Sequence, residues 1–418
     1  MKSRNITFAL VISCILSSPA VLWVFEHVDS IDIPSWLSIE DATYLSGGRT
    51  DANISAVASL GGFFEGDLQK ALEDEIGNYI PAKATALLTN AQLQRSAIAA
   101  SNILFQWDCY PTFYGSNLAV VPSEGRLVEL AQTTTKGLVK SIQDTAERLS
   151  AFSLSHPDVN LYVYLGPDSQ NVSGSPTGSL MASPLSYNDI ESMMMKKEEE
   201  ESAFHWISGA VTYDEFLQNW YKTDHHWNIQ GAFQAYQRIA TALGFGDDLL
   251  NPSAEIVYED PIFFGSFARR GLDEEHSDKI TDYTFDNSQA FTVEISGQKA
   301  TDQSLAHAHD YAEGQWDINP YANRYAEYYH TDYPLIKITN NSEDAKGELL
   351  IVGDSYSNSM ERFLAAHYKT TYVIDPRHTP ETLDDFLSTH KGIDDVVFIM
   401  RSTNLFSKAM LNFLEEPA

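Results

Sequence analysis

Glu348-Leu-Leu-Ile-Val-Gly-Asp-Ser355-Tyr-Ser-Asn-Ser-Met360 is the stretch from which the fold can be read. Leu349 to Val352 make a continuous apolar run closed by a turn signal, the pattern of a strand covered on both faces. Gly353 breaks the run, and Met360, Phe363, Leu364 and His367 then recur at helical spacing. Asn358 followed three residues later by Glu361 matches a capping box, which predicts that the helix starts there. Ser355 therefore falls on a tight strand-to-helix turn at the carboxyl end of a strand, where open α/β sheets collect their sites. The backbone N–H groups of Ser355 and Tyr356 are the expected donors to a developing oxyanion. Such a turn is usually only a capped connection. Serine becomes a nucleophile when a base takes its proton and a third group orients that base.

On the C-terminal side the pattern is regular: helix to Tyr368, strand Thr371–Ile374, helix Pro380–Thr389, strand Val396–Met400. That alternation predicts parallel strands with right-handed crossovers. Far upstream, the Lys136–Leu149 helix leads into a strand from Val159 to Leu165, a further unit of the same sheet, and Leu118–Val121 reads as a short strand. Residues 60–106 have helical periodicity. Residues 169–205 are Ser/Gly/Pro-rich and then charged, which predicts a flexible surface excursion. Residues 255–345 read as an insertion, β-branched at first and then loop-like and aromatic, with Tyr311, Trp316, Tyr321, Tyr325, Tyr328 and Tyr329.

The 418 residues, 43% of them hydrophobic, suit one large domain with insertions or two domains. A net charge of -31 excludes nucleic acid as the expected partner, because phosphate binding needs clustered Lys and Arg. Residues 1–25 form a targeting segment, with Lys2 and Arg4 before an apolar run over residues 6–25 that is long enough to span a bilayer. It is either a signal anchor, which makes the protein membrane-bound, or a cleaved signal peptide, which makes it secreted. Both readings place the rest outside the cytoplasm. A linker over residues 26–59 then leads to a domain over residues 60–416. Cys14 and Cys109 are the only cysteines, so no thiolate metal site is expected, and the reading calls for no cofactor.

The partners for Ser355 are sought in Asp224-His225-His226-Trp227, just before a helix capped by Asn228. In extended chain, residues two apart point the same way, so Asp224 can hold the tautomer of His226 while its ring faces a nucleophile. Capping and surface exposure would explain the same residues, and so would metal binding, although no third ligand sits at a recognisable spacing. His307-Ala-His309-Asp310 is the other candidate ligand cluster, more simply read as loop.

Thr223-Asp-His-His-Trp227 followed about 130 residues later by Gly353-Asp-Ser-Tyr-Ser-Asn358 resembles the DHHW family, which is similar to the SGNH-hydrolase-like domains of the alginate acetylation proteins AlgX and AlgJ. The resemblance extends to Phe64–Lys83, Gly265–Gly271 and Tyr372–Arg377, so it covers most of residues 60–405. It implies a three-layer α/β domain with a mostly parallel sheet, circularly permuted because the Asp-His pair precedes the serine. It further implies Ser355 as nucleophile, His226 as general base and Asp224 as its orienter, while the Gly and Asn that complete the family's oxyanion hole are not located.

The expected function is an exported, serine-dependent O-acyl (acetyl) transferase or esterase acting on envelope or secreted polysaccharide, with an acyl donor for which a membrane acyl-transfer partner is one source. Tyr321 and Arg377 are candidate substrate contacts; packing explains the tyrosine better than sugar stacking does, and a structural ion pair explains the arginine equally well. The alternative from another class is a non-catalytic carbohydrate-binding or assembly protein on the same fold. A metal-dependent hydrolase using Asp224, His225 and His226 is a third.

Overall fold

The computed structural model describes residue 45 and residues 54–78, 83–201, 204–285 and 290–415. The apolar segment 6–25 and most of the expected linker lie outside these residues, although Ile54–Val57 is helical. Among the described residues, no helix is long and apolar enough to cross a membrane.

The chain divides into two compact units. One holds the described part of Met1–Phe105 with Thr112–Tyr114 and Arg269–Asp273. Its helices are Leu60–Glu65, capped by Ser59 and ended at the left-handed Gly66, then Asp67–Asn78 and the 23-residue Lys83–Phe105. The helical periodicity of residues 60–106 is thus realised.

The second unit carries the site. Its small antiparallel sheet has the order β1 (Tyr110–Pro111), β2 (Leu118–Val121), β3 (Arg126–Glu129). The large sheet draws on β4 (Asn160–Gly166), β5 (His205–Ile207), β8 (Phe291–Ile295), β9 (Gln298–Ala300), β10 (Ile336–Asn340), β11 (Glu348–Gly353), β12 (Thr370–Ile374) and β13 (Asp395–Arg401). The remaining strands, β6 (Ala254–Val257) and β7 (Thr281–Thr284), pair antiparallel with each other. The large sheet runs β5-β4-β13-β11-β12-β10-β8-β9. Its first five strands are parallel and the last three pair antiparallel.

Strand β11 alternates between two cores. Leu350 and Val352 join Ile142, Leu149, Phe386 and Met410 on one face, while Leu349 and Ile351 join Phe233, Tyr236, Phe363 and Leu364 on the other. Helices therefore cover both faces, as the unbroken apolar run requires. The chain leaves β11 through Glu361–Ala365 on one face for β12, then returns through Leu383–Thr389 on the opposite face to β13, on the far side of β11. The carboxyl end of β11 is thus where strand order reverses, the position at which an open sheet leaves a crevice.

Three expectations change. The stretch 169–205 is more ordered than its composition suggests, because it contains the helix Tyr187–Glu201, whose Ile190 and Met194 are fully buried. Its charged end hid that apolar spacing. Residues 255–345 do not form a self-contained insertion, since β8, β9 and β10 complete the main sheet beside β12. The helix after β11 starts at Ser355, not at Asn358: Asp354 caps Ser355–Asn358, and a second helix follows at Glu361. Asn358 and Glu361 are buried, and their side chains reach His330 instead of closing a capping box.

Candidate active site

Asp354 is the first anchor of the site. Its Oδ1 accepts the Tyr356 N–H at 2.9 Å, and its Oδ2 accepts the Arg401 N–H at 3.1 Å and Asn404 Nδ2 at 2.7 Å. Burial pushes this carboxyl up from its ordinary value, against those hydrogen bonds and the pull of Arg377. The turn is therefore tied to the end of β13. Arg401 is itself held by Asp168 and Glu129 at 3.2 and 2.9 Å. Gly353 has to be glycine, since a Cβ there would lie 2.3 Å from Ser357 Oγ. The half-buried Ser355 starts the short helix.

The other half of the site, Lys222–Trp227, has no regular structure beyond a bridge between Trp220 and Trp227. Side chains hold it in place. Asp278 accepts the N–H groups of Lys222 and Thr223 at 2.9 and 2.7 Å and the Thr223 hydroxyl at 2.6 Å. The Thr223 carbonyl accepts from the N–H groups of Phe267 and Ala268. Trp227 Nε1 donates to Ser359 Oγ at 3.0 Å, which joins this segment to the helix region after Ser355.

These supports bring together three side chains that are remote in sequence. His226 Nε2 lies 2.8 Å from Ser355 Oγ, and His226 Nδ1 lies 2.6 Å from Asp224 Oδ1. A carboxylate on Nδ1 assigns that nitrogen the proton, which leaves Nε2 as the acceptor for the serine hydroxyl. Asp224 also accepts the N–H groups of His226 at 3.0 Å and Ser266 at 2.5 Å. Burial alone would raise the Asp224 carboxyl, but His226 and His225 beside it, with the hydrogen bonds from His226 and Ser266, hold it far below the usual carboxylate range. These contacts favour its carboxylate form.

The remaining candidates fall differently. The Tyr356 N–H is already given to Asp354, so only the Ser355 N–H of the expected pair, which donates to no protein acceptor among the described residues, is left for an oxyanion. The Tyr356 ring packs on Gly166, where a Cβ would lie 2.6 Å from the ring, and its hydroxyl donates to the His225 carbonyl at 2.5 Å. Tyr321 is buried, stacked on Phe264 and hydrogen-bonded to Glu274. Arg377 forms a fork on Asp375 and reaches Asp332 at 2.6 Å. The geometry gives both residues structural partners.

Asp224, His225 and His226 bring ligand atoms within 4.8 Å of one another. Both ring nitrogens of His226 are engaged, however, and His225 Nδ1 bonds Ser266 Oγ at 2.7 Å, so a metal would have to displace Ser355 or Asp224. Asp332, Asp375 and His378 form a similar cluster, already bridged by Arg377.

Sequence reasoning missed Asp278, Ser266 and Tyr325. Ser266 lies inside the Gly265–Gly271 stretch without an assigned role, and Tyr325 stands only as one aromatic of the segment 255–345. Asp278 carried no local signal.

No family model and no curated protein matches the chain. Among solved structures, a DHHW family protein from Eubacterium siraeum aligns over 71% of this chain and 94% of its own, at a TM-score of 0.54 and 18% identity. The fold is the one that protein has. Bacillus cereus PatB1, solved with a sulfonyl adduct, aligns over 69% of this chain and 95% of its own, at a TM-score of 0.52 and 21% identity. The O-acetyltransferase domain of Pseudomonas putida AlgJ aligns over 72% and 96%, but at a TM-score of 0.35 and 13% identity, which is too loose to bear on the fold.

Proposed function

We propose that the protein is an extracytoplasmic O-acyl transferase or esterase of polysaccharide, with Ser355, His226 and Asp224 as its catalytic residues. The observation that carries this reading is the pair of contacts from one imidazole, 2.8 Å to Ser355 Oγ and 2.6 Å to Asp224 Oδ1. Ser355 Oγ attacks the acyl carbonyl while His226 Nε2 takes its proton, and Asp224 stabilises the imidazolium that forms. The Ser355 N–H faces the charge on the carbonyl oxygen. Collapse breaks the bond to the leaving oxygen, which receives the proton from His226 and leaves an acyl-Ser355 ester. A sugar hydroxyl or a water then gives its proton to His226 and attacks that ester, restoring free Ser355. The acceptor decides between transfer and hydrolysis.

The fold shared with PatB1, which was solved with a sulfonyl adduct, supports a nucleophile open to sulfonyl reagents. The base preceding the nucleophile fits the circularly permuted order, and acetyl is the acyl group that the family resemblance suggests. Export rests on the apolar run over residues 6–25.

The test uses the full-length chain with p-nitrophenyl acetate, with and without a polysaccharide acceptor, beside Ser355→Ala. The expected result is release of p-nitrophenol by wild type only, and acetyl on the glycan if transfer is the reaction. Wild type and Ser355→Ala equally inert, with glycan still retained by both, would replace this reading by the carbohydrate-binding one.

A further inference from the structure

Tyr325 belongs to the short helix Arg324–Tyr329, which is fastened independently of the site. Arg324 donates to the carbonyls of Asp317 and Asn319 at 2.8 and 2.7 Å, the Tyr328 hydroxyl donates to Asp282 at 2.7 Å, and the Tyr329 hydroxyl donates to the Thr281 carbonyl. From that platform the Tyr325 ring lies on the His226 imidazole, centroids 3.6 Å apart and planes 2° from parallel. Aromatic rings free to choose prefer offset or edge-on contacts, so a near-superposed pair reflects placement by the surroundings. His225 also packs against this imidazole, centroids 3.8 Å apart and planes tilted by 38°, its own ring fixed by Ser266. The imidazole is therefore in contact with two rings and cannot turn about its own axis without breaking a contact.

The same side chain reaches the nucleophile. The Tyr325 hydroxyl is 3.1 Å from the Ser355 carbonyl and 3.2 Å from Ser359 Oγ. One proton serves these two acceptors in turn, and Ser359 Oγ also receives Trp227 Nε1. A single fully buried residue thus touches the base through its ring and the nucleophile's backbone through its hydroxyl. A core aromatic that only fills space has no need of both contacts.

We infer that Tyr325 is a positioning residue for acyl transfer: its ring sets the plane of the His226 imidazole and its hydroxyl fixes the Ser355 turn. This rests on the function proposed above. The ring keeps Nε2 aimed at Ser355 Oγ, shuts water from one face of the base, and offers a π face to the imidazolium formed as Ser355 is deprotonated. No step of the reaction passes through the tyrosine.

The test measures the rate at which phenylmethanesulfonyl fluoride sulfonylates Ser355, and kcat and KM for p-nitrophenyl acetate, in the full-length chain. Tyr325→Leu, Tyr325→Phe and Tyr328→Leu are compared with wild type. Tyr328 is equally buried on the same helix, and its ring and hydroxyl contact Tyr329 and Asp282, so it reports loss of the helix's own packing and anchoring. Tyr325→Leu is expected to lose about 100-fold in kcat and in sulfonylation with KM little changed, since small misplacements of reacting groups cost on that order. Tyr325→Phe should retain the ring effect and lose roughly 3- to 10-fold, consistent with one hydrogen bond. Tyr328→Leu should lower thermal stability but leave the sulfonylation rate within about threefold of wild type.

A folded Tyr325→Leu as reactive as Tyr328→Leu overturns the inference. If Tyr325→Leu does not fold, Tyr325→Phe decides, and a rate equal to wild type overturns it. A separate readout is the downfield proton resonance of His226 Nδ1 on Asp224, expected in wild type and Tyr325→Phe and broadened away in Tyr325→Leu. Should wild type itself neither hydrolyse the ester nor take the sulfonyl group, the acyl-transfer reading falls, while this resonance still shows whether Tyr325 orders the imidazole.

Discussion

The two halves of the site are built in opposite ways. The Ser355 turn hangs from regular structure: β11 delivers it, Asp354 caps it, and the end of β13 receives the other oxygen of that cap. Lys222–Trp227 has almost no regular structure, and its conformation is imposed by Asp278, Ser266, Phe267 and Tyr325, 41 to 99 residues further along the chain. The proposed nucleophile, placed by local backbone, and the proposed base, placed by distant packing, should respond differently to substitution, and that contrast can be tested.

The largest effects should be chemical. Ser355→Ala and Asp224→Asn are each expected to lower kcat by on the order of 10³-fold or more, the asparagine because it cannot hold the Nδ1–H tautomer. Ester hydrolysis by purified variants checks this. Retention of most activity in Asp224→Asn would mean that another residue, not Asp224, orients the base.

Next comes Gly265→Ala. A Cβ at position 265 would lie 2.3 Å from the Thr223 carbonyl oxygen and 2.6 Å from Asp224 Cβ, and both belong to the segment that lacks regular structure. The expected outcome is about a 100-fold loss of kcat from displacement of Asp224 and His226, with Ser355 still sulfonylated at a slow rate. Unchanged kinetics would show that the base segment is stiffer than its supports imply.

A stability effect should follow at the buried pair under the nucleophile turn. His330 Nε2 lies 3.0 Å from Glu361, Glu361 bonds Ser357 Oγ at 2.9 Å, and the His330 carbonyl accepts from Asn358. His330→Ala leaves buried Glu361 with the Ser357 hydroxyl but without its ion-pair partner, a loss of about 3–5 kcal/mol in urea unfolding. Burial works against the His330 charge, but Glu361 beside it wins and raises the imidazole above its ordinary value. Its folded value exceeds its unfolded one, so this contribution is full below about pH 6.5 and disappears as pH rises through the folded value. Urea midpoints from pH 6 upward should show that decline in wild type and not in His330→Ala.

The smallest effect belongs to Arg377→Ala. Its ion pairs with Asp332 and Asp375 are partly exposed, and such pairs contribute about 0–1 kcal/mol. KM for a polysaccharide acceptor should change less than about threefold. A tenfold rise would make Arg377 a substrate contact after all.

How far the sequence could be read follows the same division. The apolar run Leu349–Val352, the break at Gly353 and the alternation after it were sufficient for strand, turn and parallel sheet, because burial on both faces and a helix start are local patterns. The two-residue spacing of Asp224 and His226 was likewise enough to suggest which imidazole faces a serine. The capping box misled because Asn358 and Glu361 are satisfied by His330, a partner that local spacing does not reveal. The aromatic segment was silent in the same way: nothing in its spacing singles out Tyr325 from the other packing aromatics, and only the folded chain lays it on His226.

Sequence by itself therefore determined the sheet strand under Ser355 and the residue types able to carry acyl chemistry. Only the tertiary structure decided that His226 and Ser355, 129 residues apart, come within 2.8 Å, and that Asp278, Ser266 and Tyr325 hold them there. The physical reason is range. Strand and turn propensities act over a few neighbouring residues, whereas the base is oriented by hydrogen bonds and ring contacts whose partners become neighbours only once the chain has folded.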